Sequence, residues 1–220
     1  MKVIEQSFEI LTPISEDGMV ELKMIEKIGR TCYKSEDRIT EDGESAKKFV
    51  HMLIQNGHEA MIEHVNISVK FITDRGVSHE LVRHRIASFA QESTRYCNYG
   101  KLSKFPDGLT FIKPVYYEEG TEDYKEWKTG CEDSEFWYCQ ALKRGATPQM
   151  ARAVLNNSLK TEIVMTTNLR EWRNVLRLRC SHGAHPQIRA LMIRLLFELH
   201  RLIPVVFDDI FDEVTEGDSK

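Results

Sequence analysis

The stretch HPQIRALMIRLLFELHRLIP, residues 185 to 204, constrains the fold more than any other part of the chain. Ile188, Leu191, Met192, Leu195, Leu196 and Leu199 recur at the spacing of one helix face, and Pro204 ends the run. An apolar stripe of that length must be buried by other elements. Several segments can supply the cover. GESAKKFVHMLIQNG reads as a helix with Ala46, Phe49, Val50, Leu53 and Ile54 at helical spacing and Gly57 as its stop. VNISVKFIT and TEIVMTTN are β-branched and read as strands, as does the opening KVIEQSFEIL. DRGVSHELVRHR reads as a helix capped by Asp74, with Val77, Leu81 and Val82 inward and with Glu80 and His84 sharing a face. SEFWYCQALKRG and TPQMARAVLNNSL read as helices, the second started by Thr147 and Pro148. Asn168 caps the helix LREWRNVLRLRC, which keeps Trp172, Val175, Leu176 and Arg179 to one side. With few strands, many amphipathic helices and no regular βαβ alternation, the class is α+β.

Length and charge limit what such a fold can do. At 220 residues the expectation is one catalytic domain over 1–212, with an irregular insertion at about 100–135 and a frayed acidic tail at 213–220. The net charge of −4 and the pI of about 6.1 argue against a general nucleic-acid binder. No stretch approaches the ~18 apolar residues of a membrane span, and MKVIEQSFEI lacks the apolar run of a signal peptide. The five cysteines are odd in number and form no CxxC, so reduced thiols and a cytoplasmic location are expected.

Against that acidic background LVRHRIASFAQESTRY, residues 81 to 96, places Arg83, His84, Arg85 and Arg95 within thirteen positions. Like charges at that density repel unless an anion sits among them. A solvated helix end is the plain alternative. Three features favour an anion pocket. Arginine forks pair bidentately with phosphate, and serine hydroxyls add donors without charge. Gln91 offers both a donor and an acceptor to a base edge. Arg152, Arg170 and Arg179 stand beside apolar residues in other segments, where unpaired charge is costly. The chain has neither GxGxxG nor GxxxxGK[ST], so side chains rather than a glycine loop must hold any phosphates. Without a GxSxG elbow, Ser88 and Ser93 are poor nucleophiles. Cys97 beside arginines is a physically fair thiolate, yet a lone cysteine is more often a small buried apolar group. His58, His64, His79, His84, His182 and His185 with Cys180 lack ligand spacing, so no metal is expected.

Arg83, His84, Arg85, Ser88, Ser93 and Arg95 complete the spacing R-H-R-x2-S-x4-S-x-R. Six fixed positions match by chance on the order of 10⁻⁸ per start site. The spacing resembles the signature of the flavin-dependent thymidylate synthases. NGHEAMIEH resembles their GHE…EH segment, and ARAVLNNSL, TTNLREWRNVLRLR and AHPQIRALMI resemble their later blocks in order. The resemblance spans about residues 45 to 100 and 145 to 200.

The resemblance implies a central antiparallel sheet flanked by helices. It also implies an enzyme that makes dTMP from dUMP with FAD as cofactor, NADPH as reductant and methylenetetrahydrofolate as carbon donor. Membership carries a homotetramer with active sites shared between subunits. By matching positions, His58, Ala60, Arg83, His84, Arg85, Gln91, Asn168, Arg170 and Asn174 would bind FAD. Glu80, Arg83, Gln91, Glu92, Ser93, Thr94, Arg95, Arg152 and Arg179 would bind dUMP, with Ser93 and Arg95 at its phosphate. Arg179 would be the catalytic group, favouring negative charge on the pyrimidine as an oxyanion hole does. Two positions depart from the pattern. Gln91 stands where some members carry an acid, and Gly183 where some carry a flavin-contacting histidine that His182 or His185 would have to replace. A non-catalytic nucleotide- or RNA-binding module using the same basic face is the rival reading, and a thiol enzyme using Cys97 a third.

Overall fold

A computed structural model of the chain describes residues 1–101 and 103–217. In chain order the elements are β1 (Lys2–Ile4), β2 (Ser7–Ile10), α1 (Met19–Thr31), α2 (Glu44–Gln55), β3 (Asn66–Asp74), α3 (Arg75–Leu81), β4 (Ser88–Gln91), β5 (Thr110–Ile112), α4 (Glu122–Lys143), α5 (Pro148–Ala151), β6 (Lys160–Asn168), α6 (Leu169–Cys180), α7 (Pro186–Leu202) and α8 (Pro204–Gly217). A 3-10 turn at Glu59–His64 leads into β3.

Four strands form one sheet in the order β2-β3-β6-β4. Its neighbours run antiparallel. The Leu11 N–H donates to Ser68 O (2.8 Å), while the Thr73 hydroxyl, further along β3, donates to Gln6 nearer the chain start (3.2 Å). Ser68 meets Thr166 at 2.8 Å, whereas Lys70 pairs with the earlier Glu162 at 2.5 Å. In β3 every second residue, Ile67, Val69, Phe71 and Thr73, is buried, and in β6 Thr161, Ile163, Met165 and Thr167 are. That is the period of two of a sheet with one face covered. The fold is therefore α+β with an antiparallel sheet. A separate parallel pair, β1 with β5, sets Lys2 against Thr110 and Ile4 against Ile112.

The chain divides into two compact units that interleave in sequence. The first unit comprises Met1–Glu9, Lys70–Arg85 and Phe89–Met165; the second comprises Ile10–Val69, Ile86–Ser88 and Thr166–Lys220. The first has its own core of Tyr99, Leu109, Phe111, Cys131, Tyr138, Ala151 and Leu159. The second is built on the long apolar stripe. All six of its expected positions on α7 are fully buried, with Trp172, Val175 and Leu176 of α6. Trp172 donates its indole N–H to the Ile67 carbonyl at 3.0 Å. Helices α1 and α2 approach closely at Gly29, where a Cβ would stand 2.6 Å from the Phe49 ring.

Several local expectations change. Helix α3 stops at Leu81, so His84 is not on a helical face with Glu80, and Val82 is exposed. The 100–135 segment is less irregular than its Gly, Pro and Tyr content suggests. It contains β5, and α4 begins at Glu122 because Thr121 caps it by accepting from the Tyr124 N–H at 3.3 Å. The helix expected after Thr147 shrinks to α5 and one 3-10 turn, since the chain turns to extended backbone at Leu155. Residues 213–217 continue α8 where a frayed tail was expected, and 218–220 lie outside the described residues. No described helix is long and apolar enough to cross a membrane.

Candidate active site

In the first unit β3 delivers Asp74, whose carboxylate caps α3 by accepting from the Val77 N–H at 2.7 Å. The helix lasts seven residues. The Arg83 N–H then reaches back only to the Glu80 carbonyl (3.3 Å), and the His84 N–H to Leu81 O (3.1 Å). That tight turn leaves Arg83 and Arg85 exposed and puts His84 inside at 5% exposure. Glu80 is half-buried. Neither Arg83 nor Arg85 has a carboxylate partner among the described residues.

Strand β4 brings in Gln91. Its amide nitrogen donates to the Ser78 hydroxyl (2.9 Å) and the Thr161 hydroxyl (3.2 Å), which uses both of its N–H groups and leaves its carbonyl oxygen. Glu92 accepts from the Tyr99 hydroxyl (2.8 Å), Lys160 Nζ (3.0 Å) and the Glu162 N–H (3.2 Å), so its carboxylate is engaged internally. A turn follows. The Arg95 N–H donates to Ser93 Oγ (3.3 Å) and the Cys97 N–H to Ser93 O (2.9 Å). Arg95 lies over the Tyr96 ring at 5.4 Å. The structure brings Arg152 to this turn, where its NH1 donates to Thr94 Oγ1 at 3.2 Å. Arg95 and Arg152 also lack carboxylate partners among the described residues. A turn of hydroxyls rimmed by unmatched guanidiniums is an anion-binding arrangement.

In the second unit Asn168 ends β6 and caps α6, accepting from the Glu171 N–H at 2.9 Å. A cavity of about 490 Å³ opens beside it, lined by Glu59, Glu63, Ile86, Asn168, Arg170, Glu171, Asn174 and Arg177. Arg170 bonds Glu63 at 2.6 Å, and the Asn174 amide donates to Glu171 at 3.3 Å. Glu63 raises the Arg170 guanidinium's pKa further, against a small loss from burial. His58 and Ala60 line a different cavity of about 950 Å³, with Phe49, Met52, Met61, Tyr33, Arg30 and Arg38. The five residues of this unit matched to FAD therefore divide between two cavities. Arg179, half-buried, closes the last turn of α6. His185 caps α7, its Nδ1 accepting from the Gln187 N–H at 3.2 Å.

Motif reading missed a network that bonds to Glu59 of the cavity lining. Arg173 is 1% exposed at its side chain and holds Asp209 through two bonds of 2.8 and 2.7 Å, Glu59 at 3.1 Å and the Val206 carbonyl. Burial alone would push the Asp209 carboxyl up, but Arg173 and then Arg177 hold it below its ordinary range. A buried helix cation facing acids 36 and 114 positions away leaves no trace in local spacing. Burial pushes the Cys131 thiol up to about 11 and raises Cys139 too, so these two thiols stay protonated.

Residues 18–205 match the model of the family described as thymidylate synthase complementing protein. That range includes the 100–135 segment. The fold, the signature turn and this match define a methyltransferase class: the chain belongs to the flavin-dependent thymidylate synthase family. A flavin-dependent thymidylate synthase of Mycolicibacterium vanbaalenii is 34% identical over 217 residues, 94% of this chain and 86% of that protein. One from Corynebacterium aurimucosum is 33% identical over 195 residues, 84% and 78% of the two chains. Among solved structures, the UMP/dUMP methylase PolB from Streptomyces cacaoi, bound with 5-Br dUMP, superposes with a TM-score of 0.75. It shares 21% identity, over 94% of this chain and 96% of that one. At that identity the likeness is one of fold.

Proposed function

We propose that the enzyme converts dUMP to dTMP, with FAD as its flavin, methylenetetrahydrofolate as carbon donor and NADPH as reductant. The observation that carries the reading is the turn Ser93–Arg95, where Arg152 arrives from a distant segment and no acid among the described residues neutralises either arginine. The nucleotide phosphate supplies the missing countercharge. The donor sets also suit a flavin dinucleotide. Exposed Arg83 and Arg85, unmatched by carboxylates, fit its pyrophosphate. The mixed acids and amides about Asn168 and Asn174 fit sugar hydroxyls and ring edges. The exposed Arg170–Glu63 pair contributes little by itself, so Arg170 can be released to a cofactor at small cost.

When bound, the reduced flavin supplies the hydride that completes the new methyl group. This chain's residues do the rest. Ser93 and Arg95 anchor the phosphate, and Arg179 stabilises negative charge spread over N3 and O2 of the pyrimidine, which leaves C5 electron-rich without thiolate attack. Aligning the rings out of water removes much of the entropic barrier. Exposed apolar residues beside the assigned ones, Ile86 at 66%, Tyr96 at 79% and Leu178 at 52%, support cover by further copies of the chain and hence a homotetramer with shared sites. A cytoplasmic setting goes with this chemistry. The test is spectroscopic. The purified protein should be yellow and should oxidise NADPH at a rate that responds to dUMP; a folded, colourless protein indifferent to dUMP contradicts the proposal.

A further inference from the structure

Arg75 opens α3, and no motif singles it out. Its backbone N–H is used by the Asn157 carbonyl at 2.9 Å and the Leu159 carbonyl at 3.2 Å. Its side chain is another matter. The NH1 nitrogen is closed to solvent and has no hydrogen-bond partner, the one such side-chain atom among the described residues. The residue as a whole is half-buried. A guanidinium does not shed its proton near neutral pH, and a buried unmatched donor is costly. Such groups in native proteins usually answer to a water or an ion.

The neighbouring acids are already matched. The bond from the Arg75 N–H to the Leu159 carbonyl sets its backbone one residue from Lys160, which holds Glu92, and its charge opposes the upward push on the Tyr99 phenol that comes first from burial and then from Glu92. Tyr99 gives its hydroxyl to one Glu92 oxygen at 2.8 Å, and Lys160 and the Glu162 N–H fill the other. Glu162 in turn takes Lys160 at 2.7 Å and Lys70 at 2.5 Å. Two lysines thus match two glutamates, and Arg75 is left over. Glu92 immediately precedes the turn Ser93–Arg95, where Arg95 and Arg152 are left over as well.

We propose that Arg75 is a third phosphate-binding guanidinium of the nucleotide site, acting with Arg95 and Arg152 on the phosphate of the substrate; this rests on the nucleotide-binding reading above. A phosphate monoester carries about −1.5 to −2 charges near pH 7 and several acceptor oxygens, enough to engage more than one fork. Arg75 would then set the preference for a nucleoside monophosphate over a free nucleoside.

The test uses the flavin-loaded full chain as wild type, Arg75→Gln and Arg75→Lys, with dUMP and inorganic phosphate as probes. Binding of dUMP is measured by calorimetry, and phosphate as its competitor. Arg75→Gln should weaken dUMP about tenfold or more, with phosphate competition weakened by a similar factor. Arg75→Lys, which keeps the charge but not the fork, should fall between the two. Arg75→Gln within about twofold of wild type for dUMP overturns the inference. So does a loss of dUMP binding with phosphate competition intact. Should Arg75→Gln fail to fold, Arg75→Lys decides, and wild-type affinity in it overturns the inference. A wild type that binds no dUMP overturns the functional reading and this inference together, whereas normal wild-type binding with an indifferent variant overturns Arg75 alone.

Discussion

Two sets of arginines in this molecule are treated in opposite ways. In the first unit, Arg75, Arg95 and Arg152 have no carboxylate partner among the described residues, while Glu92 and Glu162 are matched by Lys160 and Lys70. On α6, Arg170, Arg173 and Arg177 are each paired, with Glu63, with Glu59 and Asp209, and with Asp209 and Glu213. The first arrangement is poor as scaffold and good as a binding site, because it waits for an anion from outside. The second is scaffold, because the partners are already present and Arg173 is buried. Spacing along the chain treats both as basic clusters; only their partners distinguish them.

The contrast can be broken at defined positions. Arg179 lies on the paired helix but is assigned to the pyrimidine. Arg179→Ala should keep flavin absorbance and lose about 10²–10³-fold in kcat, the scale of a lost oxyanion donor; retained turnover removes that role. Arg173→Met should act on stability instead. Leaving Asp209 and Glu59 facing an apolar side chain costs ~3 kcal/mol, read in a melting scan as a loss of roughly 6–12 °C. A variant that melts with wild type would show that this network is not scaffold.

The same network gives a pH dependence. A carboxyl held low in the folded state releases its proton on folding, so the Asp209 contribution is complete above the ordinary aspartate value near ~4 and is lost as pH falls through its lower folded value. Asp209→Asn should flatten the acid limb of the stability profile; an unchanged limb contradicts the assignment. Arg152→Ala is the counterpart of Arg173→Met. It should raise the KM for dUMP about tenfold with little change in melting temperature, and a stability loss with unchanged KM would move Arg152 into the scaffold. The smallest effect belongs to Cys97→Ala, which should keep activity within about twofold; abolished turnover would restore the thiol reading.

How much of this was legible in the sequence depended on whether the cause was local. The α7 stripe, the caps at Asp74 and Asn168 and the alternation in β3 and β6 are set within a few residues, and the structure has them. Helix α1 escaped notice because it starts from a left-handed Gly18 without a side-chain cap, and half of its residues are charged or small. The end of α3 escaped because nothing in ELVRHR forbids a helix, so the turn at Arg83 is imposed by the surroundings. At the site, the signature singled out the turn Ser93–Arg95, since its residues are adjacent in sequence. The internal use of Glu92, the split of His58 and Asn168 between two cavities and the orphaned Arg75 all depend on partners far along the chain.

On the proposed function, unmatched cations and a charge-stabilised pyrimidine serve methylation of dUMP without a nucleophilic cysteine. Tritium release from 5-labelled dUMP tests it most directly. The account predicts release that requires both methylenetetrahydrofolate and reduced flavin and that persists in Cys97→Ala. A folded, FAD-loaded protein that releases no tritium would contradict it.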